Sequence, residues 1–315
     1  MLNDLIFCLN ATLPIFFLVL LGIFLKRIGF LDDTFVSLMN SLVFRVCLPA
    51  LLFHDMCGTD YRKNWDTEYV LYCFIVTLLS ILLCIFLSYF LCRRSEQGEF
   101  IQTSYRSSAT ILGIAVVQNL YSNVGMAPLM IIGAVPLYNI AAVVILAFFK
   151  PERTPLNAAM FKKTIRGILT NPIILSVAAG FVWSLLRLPM PALASSTIDY
   201  VGRCATPLGI IAMGASFSLE RSLSSAKAAG FSTFIKLFLL AAIFLPIGVH
   251  LGFRNDKLVA ALVMCGSSST ISCFVMAKEM GHAGDLTTST VMLTTLLSAF
   301  SLTFWLFLMR THGLI

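Results

Sequence analysis

"SSATI" occupies Ser107–Ile111 and "SSSTI" occupies Ser267–Ile271, 160 residues further along a chain of 315. Each run interrupts an apolar stretch and has a glycine nearby, Gly113 or Gly266. Serine is a modest helix former because its hydroxyl competes for backbone hydrogen bonds. Clustered with glycine, it lets a membrane helix unwind where the freed backbone groups line a cavity. The half-helix N-termini made in this way offer N–H donors and partial positive charge to an anion. The competing reading is close helix packing through small residues. A single cluster would favour packing. Two clusters at matched places favour a binding site, with Ser107, Ser108 and Thr110 in one and Ser267, Ser268, Ser269 and Thr270 in the other.

The matching extends outward. "SLVFRVCLPALLF" (Ser41–Phe53) and "DYVGRCATPLGII" (Asp199–Ile211) each place an arginine four residues before a proline. A shift of 158 lays Gly22 on Gly180, Arg45 on Arg203 and Pro49 on Pro207. Two independent matches at nearly the same shift indicate an internal repeat.

Composition sets the solvent. The chain is 58% apolar and 12% charged, against about 25% charged residues in a soluble domain. Ten apolar runs are long enough to cross a bilayer, which takes about 20 residues. Leu5–Leu25, Tyr69–Cys92, Met126–Phe149 and Leu286–Met309 carry no charge, and Gly167–Leu186 has only Asn171 and Pro172 at its start. Thr34–Phe53, Ile101–Leu120, Ala194–Ser216, Ala228–His250 and Asp256–Met280 each contain charge. Met1–Asp4 has no basic side chain, unlike a cleaved signal peptide, so the first run is expected to remain. Of nine cysteines only Cys57 falls in a polar stretch, which argues against a disulfide framework.

Lysine and arginine number twelve in loops after odd-numbered spans and six in loops after even-numbered spans plus the C-terminus. The excess places the odd loops in the cytoplasm and both termini outside. The net charge of +7 therefore reflects membrane topology, and nucleic acid is excluded as a partner. The basic linker 150–166 divides the spans five and five. Five is odd, so the second half enters from the opposite side. The expected fold is all-α: ten transmembrane helices as two inverted five-helix repeats, 1–149 and 167–315, in the plasma membrane.

Charge in mid-membrane is expensive, about 2.5–3.5 kcal/mol for arginine on insertion scales. Arg45 lies about 16 Å into its span at 1.5 Å per residue. Two readings stand for it: an attractor for an anionic substrate in a wet cavity, or a structural group on freed carbonyls or at a subunit contact. Arg203 has Asp199 at i−4, so that pair reads as structural. Asn139, beside Tyr138 in the fifth span, is a further polar group at membrane depth. Lys236 is expected to meet a carbonyl or a lipid headgroup, and the four histidines read as interfacial.

Several stretches resemble the auxin efflux carrier family, which includes plant auxin exporters and bacterial malonate and malate permeases. They are "LPIFFLVLLGIFLKRIGFL" (Leu13–Leu31), "LVFRVCLPALLF", "LTNPIILSVAAGFV" (Leu169–Val182), "ATPLGIIAMGASF" (Ala205–Phe217) and "FVMAKEMG" (Phe274–Gly281). The resemblance implies a scaffold of helices 1, 2, 6 and 7, often dimeric, and a moving domain of helices 3–5 and 8–10. Helices 4 and 9 would be broken and would cross at the substrate. This chain departs from the family there. The usual Asn and Pro of span 4 are Ser108 and Ala115, and the usual Pro and Asn of span 9 are Ser268 and Ser272.

The function expected is secondary transport of a small organic anion, a carboxylate first of all, by alternating access. Arg45 would attract it, and the serine clusters with Asn139 would contact it. A membrane sensor or interaction protein on the same fold is the alternative, and the chain carries no extension of the kind a sensor would use. No intramembrane pair of aspartates or histidine cluster suggests an enzyme, a metal or a cofactor. A sodium cage would need acidic ligands, and the only acids read near span interiors are Asp199 and Glu279.

Overall fold

The computed structural model describes residues 2–57, 65–121, 125–151 and 158–315, with the side chains of 2–13, 110–115 and 158–163 outside that description. Regular structure among the described residues is helical, with one isolated β-bridge between Ser107 and Ser269. The first half runs α1 (Leu2–Arg27), α2 (Asp33–Leu42), α3 (Leu48–Cys57), α4 (Thr67–Leu91), α5 (Gln97–Tyr105), α6 (Ala109–Tyr121) and α7 (Ala127–Phe148). The second half opens with α8 (Ala158–Leu169), α9 (Pro172–Leu185), α10 (Ala192–Arg203), α11 (Ala205–Ala215) and α12 (Leu219–Ser224). It closes with α13 (Ala226–Phe234), α14 (Leu240–His250), α15 (Asn255–Gly266), α16 (Ser272–Glu279) and α17 (Asp285–Thr311). Five helical stretches among the described residues are long and apolar enough to cross a membrane: Asp33–Cys57, Thr67–Leu91, Ala127–Phe148, Ala226–His250 and Asp285–Thr311.

Local chemistry sets the helix starts. Asp32 accepts the Phe35 N–H at 2.6 Å to open α2, and Asp66 accepts the Tyr69 N–H at 3.0 Å to open α4. Asn171 caps α9 through the Ile173 N–H at 3.0 Å, with Pro172 at the first helical position, where its missing N–H does no harm.

The two Arg-x-x-x-Pro stretches have a shared backbone explanation. Proline has no N–H, so the carbonyl four residues before it, that of Arg45 or Arg203, loses its helical partner. In the first stretch the chain relaxes into a π-helical turn, Val43–Cys47, between α2 and α3. In the second it breaks at Cys204, between α10 and α11.

Two glycine contacts hold the outer helices together. A Cβ on Gly22 in α1 would collide with the Ile211 carbonyl oxygen in α11, and one on Gly214 in α11 would collide with the Val19 carbonyl oxygen in α1. Gly180 in α9 lies against Phe53 and Met56 in α3, where a Cβ would come within 2.7 Å of Met56 Cβ.

The structure amends three expectations. The stretch 150–166, expected as a linker, holds most of α8, which runs on to Leu169 and which the sequence pattern supports with Ile165, Ile168 and Leu169 set against basic residues. Residues 152–157 and 58–64 lie outside the description, so Arg153, Arg62 and Lys63 are among the counted loop cations it does not place. Cys57 ends α3 half-buried and is not in a loop. His282 is buried, 4% exposed, and is not interfacial.

Candidate functional site at the crossing of two broken helices

α5 and α6 are separated by Arg106–Ser108, and α15 and α16 by Ser267–Ile271. Neither interruption contains proline, so serine and glycine suffice to end the first half-helix of each pair. The two extended segments cross and are hydrogen-bonded to each other. The Ser108 N–H donates to the Ser268 carbonyl at 2.9 Å, and Ser269 Oγ donates to the Thr103 carbonyl at 2.7 Å. The Ser269 N–H donates to Thr294 Oγ1 of α17 at 3.1 Å. The serines thus satisfy at depth the backbone groups that unwinding exposes.

A cavity of about 340 Å³ opens beside this crossing. Its floor is the first interruption, Arg106 to Ala109, and the start of α16, with Thr270, Ile271 and Ser272. Tyr138 and Asn139 of α7 form one wall; Leu48, Leu51, Leu52 and Asp55 of α3 face it, with Ala205 and Thr206 of α11. α6 and α16 both begin at this cavity, so both present the positive end of a helix to it.

Arg106 is the cation of the site. It is 3% exposed, has left the helix (φ −81°, ψ 124°), and donates from Nη1 to Met276 Sδ at 2.8 Å and from Nη2 to Asn139 Oδ1. Asn139 is itself oriented by a bond from Nδ2 to the Val135 carbonyl at 2.9 Å. Among the described residues no carboxylate lies within ion-pair distance of Arg106. A planar guanidinium held by two neutral groups keeps N–H donors for a carboxylate, which it can bind in two-pronged fashion.

The expected site residues divide into groups. Ser107, Ser108, Asn139 and Thr270 line the cavity. Ser267, Ser268 and Ser269 do not line it; they are buried in the crossing itself. Thr110 lies in the first turn of α6, and its side chain is outside the description.

Arg45 does not line the cavity. Its Nη2 and Nε donate to Glu279 Oε1 at 2.8 and 3.0 Å, and Ser41 Oγ donates to Glu279 Oε2 at 2.8 Å. Arg45 has no carboxylate one turn away, as Arg203 has; its partner is 234 positions away in sequence. Asp199 and Arg203 form their i,i+4 pair at 2.7 Å, on the outer surface.

Three cavity-lining positions escaped sequence reasoning. Arg106 registered only as a charge in a span. Asp55 lines the cavity although only Asp199 and Glu279 were read as acids near span interiors. Thr206 adds a hydroxyl from α11. The available signal was position: Arg106 directly precedes the serine doublet.

Interrupted helices meeting at a largely apolar cavity with a few polar groups, inside an apolar helical body, are the arrangement of a membrane transporter. The chain belongs to the membrane transport protein family, which matches residues 7–306. It is 25% identical over 325 residues to a Rhizobium meliloti (strain 1021) protein named "Putative malonate transporter", covering 97% of each chain. It is 22% identical to an "Uncharacterized transporter" of Methanothermobacter thermautotrophicus, covering 94% of this chain and 96% of that one. Over 132 residues it is 24% identical to "Auxin efflux carrier component 2" of Arabidopsis thaliana, covering 40% of this chain and 20% of that one. The resemblance read from the sequence is a family relationship.

Proposed function

We propose that this protein is a secondary carrier for a small carboxylate, bound at the crossing with Arg106 as its counter-charge. The observation that carries this reading is Arg106 itself: a buried guanidinium without a carboxylate partner among the described residues, lining a cavity where two helix N-termini begin. Ser108, Asn139 and Thr270 supply the neutral contacts, Ser107 lines the cavity with its hydroxyl proton committed to the Met264 carbonyl, and Arg106 takes the attractor role first expected of Arg45. Malonate, from the name of one relative, is the first substrate to try. Asp55 lines the same cavity, and its negative charge opposes an anion, so a proton on Asp55 would accompany binding.

The carrier works by alternating access. Its ten spans form two inverted repeats, 1–149 and 167–315, joined at 150–166. Helices 1, 2, 6 and 7 form a scaffold through which two copies pair. It resides in the plasma membrane with both termini outside.

The test is uptake of labelled malonate and related mono- and dicarboxylates into liposomes, with thermal shift of the purified protein as the binding assay. Removing one partner of a buried charge pair costs about 2–5 kcal/mol. Arg106→Ala is therefore expected to weaken binding by roughly 30-fold or more. Arg106→Lys retains a charge without the fork and falls between. Arg45→Ala keeps the ligand-induced thermal shift. Wild-type affinity in Arg106→Ala would overturn the assignment.

A further inference from the structure

On the far side of the crossing from Arg106 stands a second buried cation. Lys236 is 0% exposed. Its Nζ donates to the Tyr105 carbonyl at 3.3 Å, the Met264 carbonyl at 3.2 Å, the Cys265 carbonyl at 3.1 Å and Ser107 Oγ. Tyr105 ends α5, and Met264 and Cys265 lie in the last turn of α15. Ser107 Oγ in turn donates a hydrogen bond to the Met264 carbonyl. The ammonium therefore sits where the negative ends of both first half-helices converge. Among the described residues no carboxylate pairs with it.

Four oxygens surround a group with three protons, so this is more a coordination cage than a set of ordinary hydrogen bonds. In broken-helix transporters, unwound carbonyls and half-helix C-terminal ends are the groups that coordinate a coupling cation. Here a side chain fills that position. Lys236 reaches it from a π-helical turn, Ile235–Leu239, a local irregularity that redirects the side chain and is frequent at functional positions. The Leu237 carbonyl in the same turn is taken up by Trp305 Nε1 at 3.0 Å.

We infer that the carbonyl cage at the crossing is a monovalent-cation site, permanently occupied by the tethered ammonium of Lys236. Two consequences follow. The wild-type protein has no need of a free alkali ion for stability or transport. With Lys236 shortened, the cage accepts a free cation of matching size. The three carbonyl oxygens stand 3.1–3.3 Å from Nζ, a spacing that favours ammonium, whose N–H groups bond as the lysine head does, with potassium as the alkali ion nearest to it in size. These distances are too long for magnesium or calcium, which bind oxygen at about 2.0–2.6 Å.

The experiment compares full-length wild type, Lys236→Ala and Lys236→Met, purified and held without any carboxylate ligand. Melting temperature is read at equal ionic strength in N-methyl-D-glucamine, sodium, potassium and ammonium chlorides. Lys236→Ala is expected to melt several degrees below wild type in N-methyl-D-glucamine. Ammonium or potassium at about ten times its dissociation constant should raise it by about 2 °C. Wild type should not respond. Lys236→Met should also be indifferent, because its neutral chain still fills the cage. The inference is overturned by a Lys236→Ala protein indifferent to all four cations, or by one that cannot be recovered folded in any of them. A wild type stabilised by sodium or potassium over N-methyl-D-glucamine overturns it equally. No carboxylate enters these readings, so their outcome is separate from that of the Arg106 assignment.

Discussion

Four of the 22 lysines and arginines lie well inside the spans, away from their ends, and each meets a different environment. Arg203 takes Asp199 one turn away, which spacing alone reveals. Arg45 takes Glu279 on another helix, a pairing that no local pattern encodes. Arg106 meets Met276 of α16 and Asn139 of α7, and Lys236 meets carbonyls at the ends of α5 and α15, neutral partners that no local sequence pattern encodes. Histidine shows the same limit. His282 follows α16 in a loop-like stretch of sequence, yet it is buried, with Nε2 3.0 Å from the Leu146 carbonyl and Nδ1 without a hydrogen-bond partner. Gly98 makes room for it: a Cβ there would lie 2.7 Å from His282 Cε1. Burial holds its pKa below the ordinary 6.5. The folded state therefore binds fewer protons than the unfolded state just below that pH, and stability falls as pH drops through about 6.5. The slope is at most about 1.4 kcal/mol per pH unit and ends at the folded pKa. Melting between pH 7.5 and 5.5 should show a smaller loss for His282→Gln than for wild type. Parallel curves would remove His282 from the account.

At the scale of elements, the interruptions were legible where their ends were not. The serine doublets marked both breaks without a proline, because unwinding needs only a residue that competes for backbone bonds and a partner strand to satisfy them. The helix starts were less visible. α5 begins at Gln97, several polar residues before the apolar run, because Glu99 is used in the interior. Glu99 is 2% exposed and accepts from the Gly284 N–H at 2.8 Å, the Thr287 N–H at 3.0 Å and Thr287 Oγ1 at 2.8 Å. It places a carboxylate on the positive end of α17 and so ties the first half of one broken helix to a membrane-long helix. Hydrogen bonds to a charged group contribute about 1.5–3 kcal/mol in total effect. Glu99→Gln keeps the shape but loses the charge and gives one acceptor oxygen for three donors. It should lower the denaturant midpoint without changing the slope of the transition. An unchanged midpoint would mean that α17 is held by packing alone.

At the scale of the whole molecule, the repeat proposed from sequence has a counterpart in packing. Gly22 of α1 meets α11, and Gly180 of α9 meets α3. If the second half repeats the first, the first of these contacts maps onto the second, and the matched glycines perform matched jobs. The proposed scaffold and moving domain are then joined through few polar bonds. Glu279 of α16 accepts from Arg45 and Ser41, and Asn40 Nδ2 donates to the Val275 carbonyl at 3.3 Å. Under the proposed alternating access α16 would travel relative to α2 and α3, so these bonds would belong to one end of the motion and break on the way to the other. Most of the Arg45 side chain is uncovered by protein; where that face meets the aqueous side of the carrier, the pair contributes about 0–1 kcal/mol. A lock of that strength shifts the balance between states by up to about fivefold and leaves each state's site intact. Arg45→Gln should therefore change the maximal rate of carboxylate uptake by a few-fold while the dissociation constant stays within about twofold of wild type. Glu279→Gln should do the same, and the double variant should add nothing further, since either change breaks the same contact. Additive losses in the double variant, or a large loss of affinity in either single one, would place Arg45 back among the groups that hold the substrate.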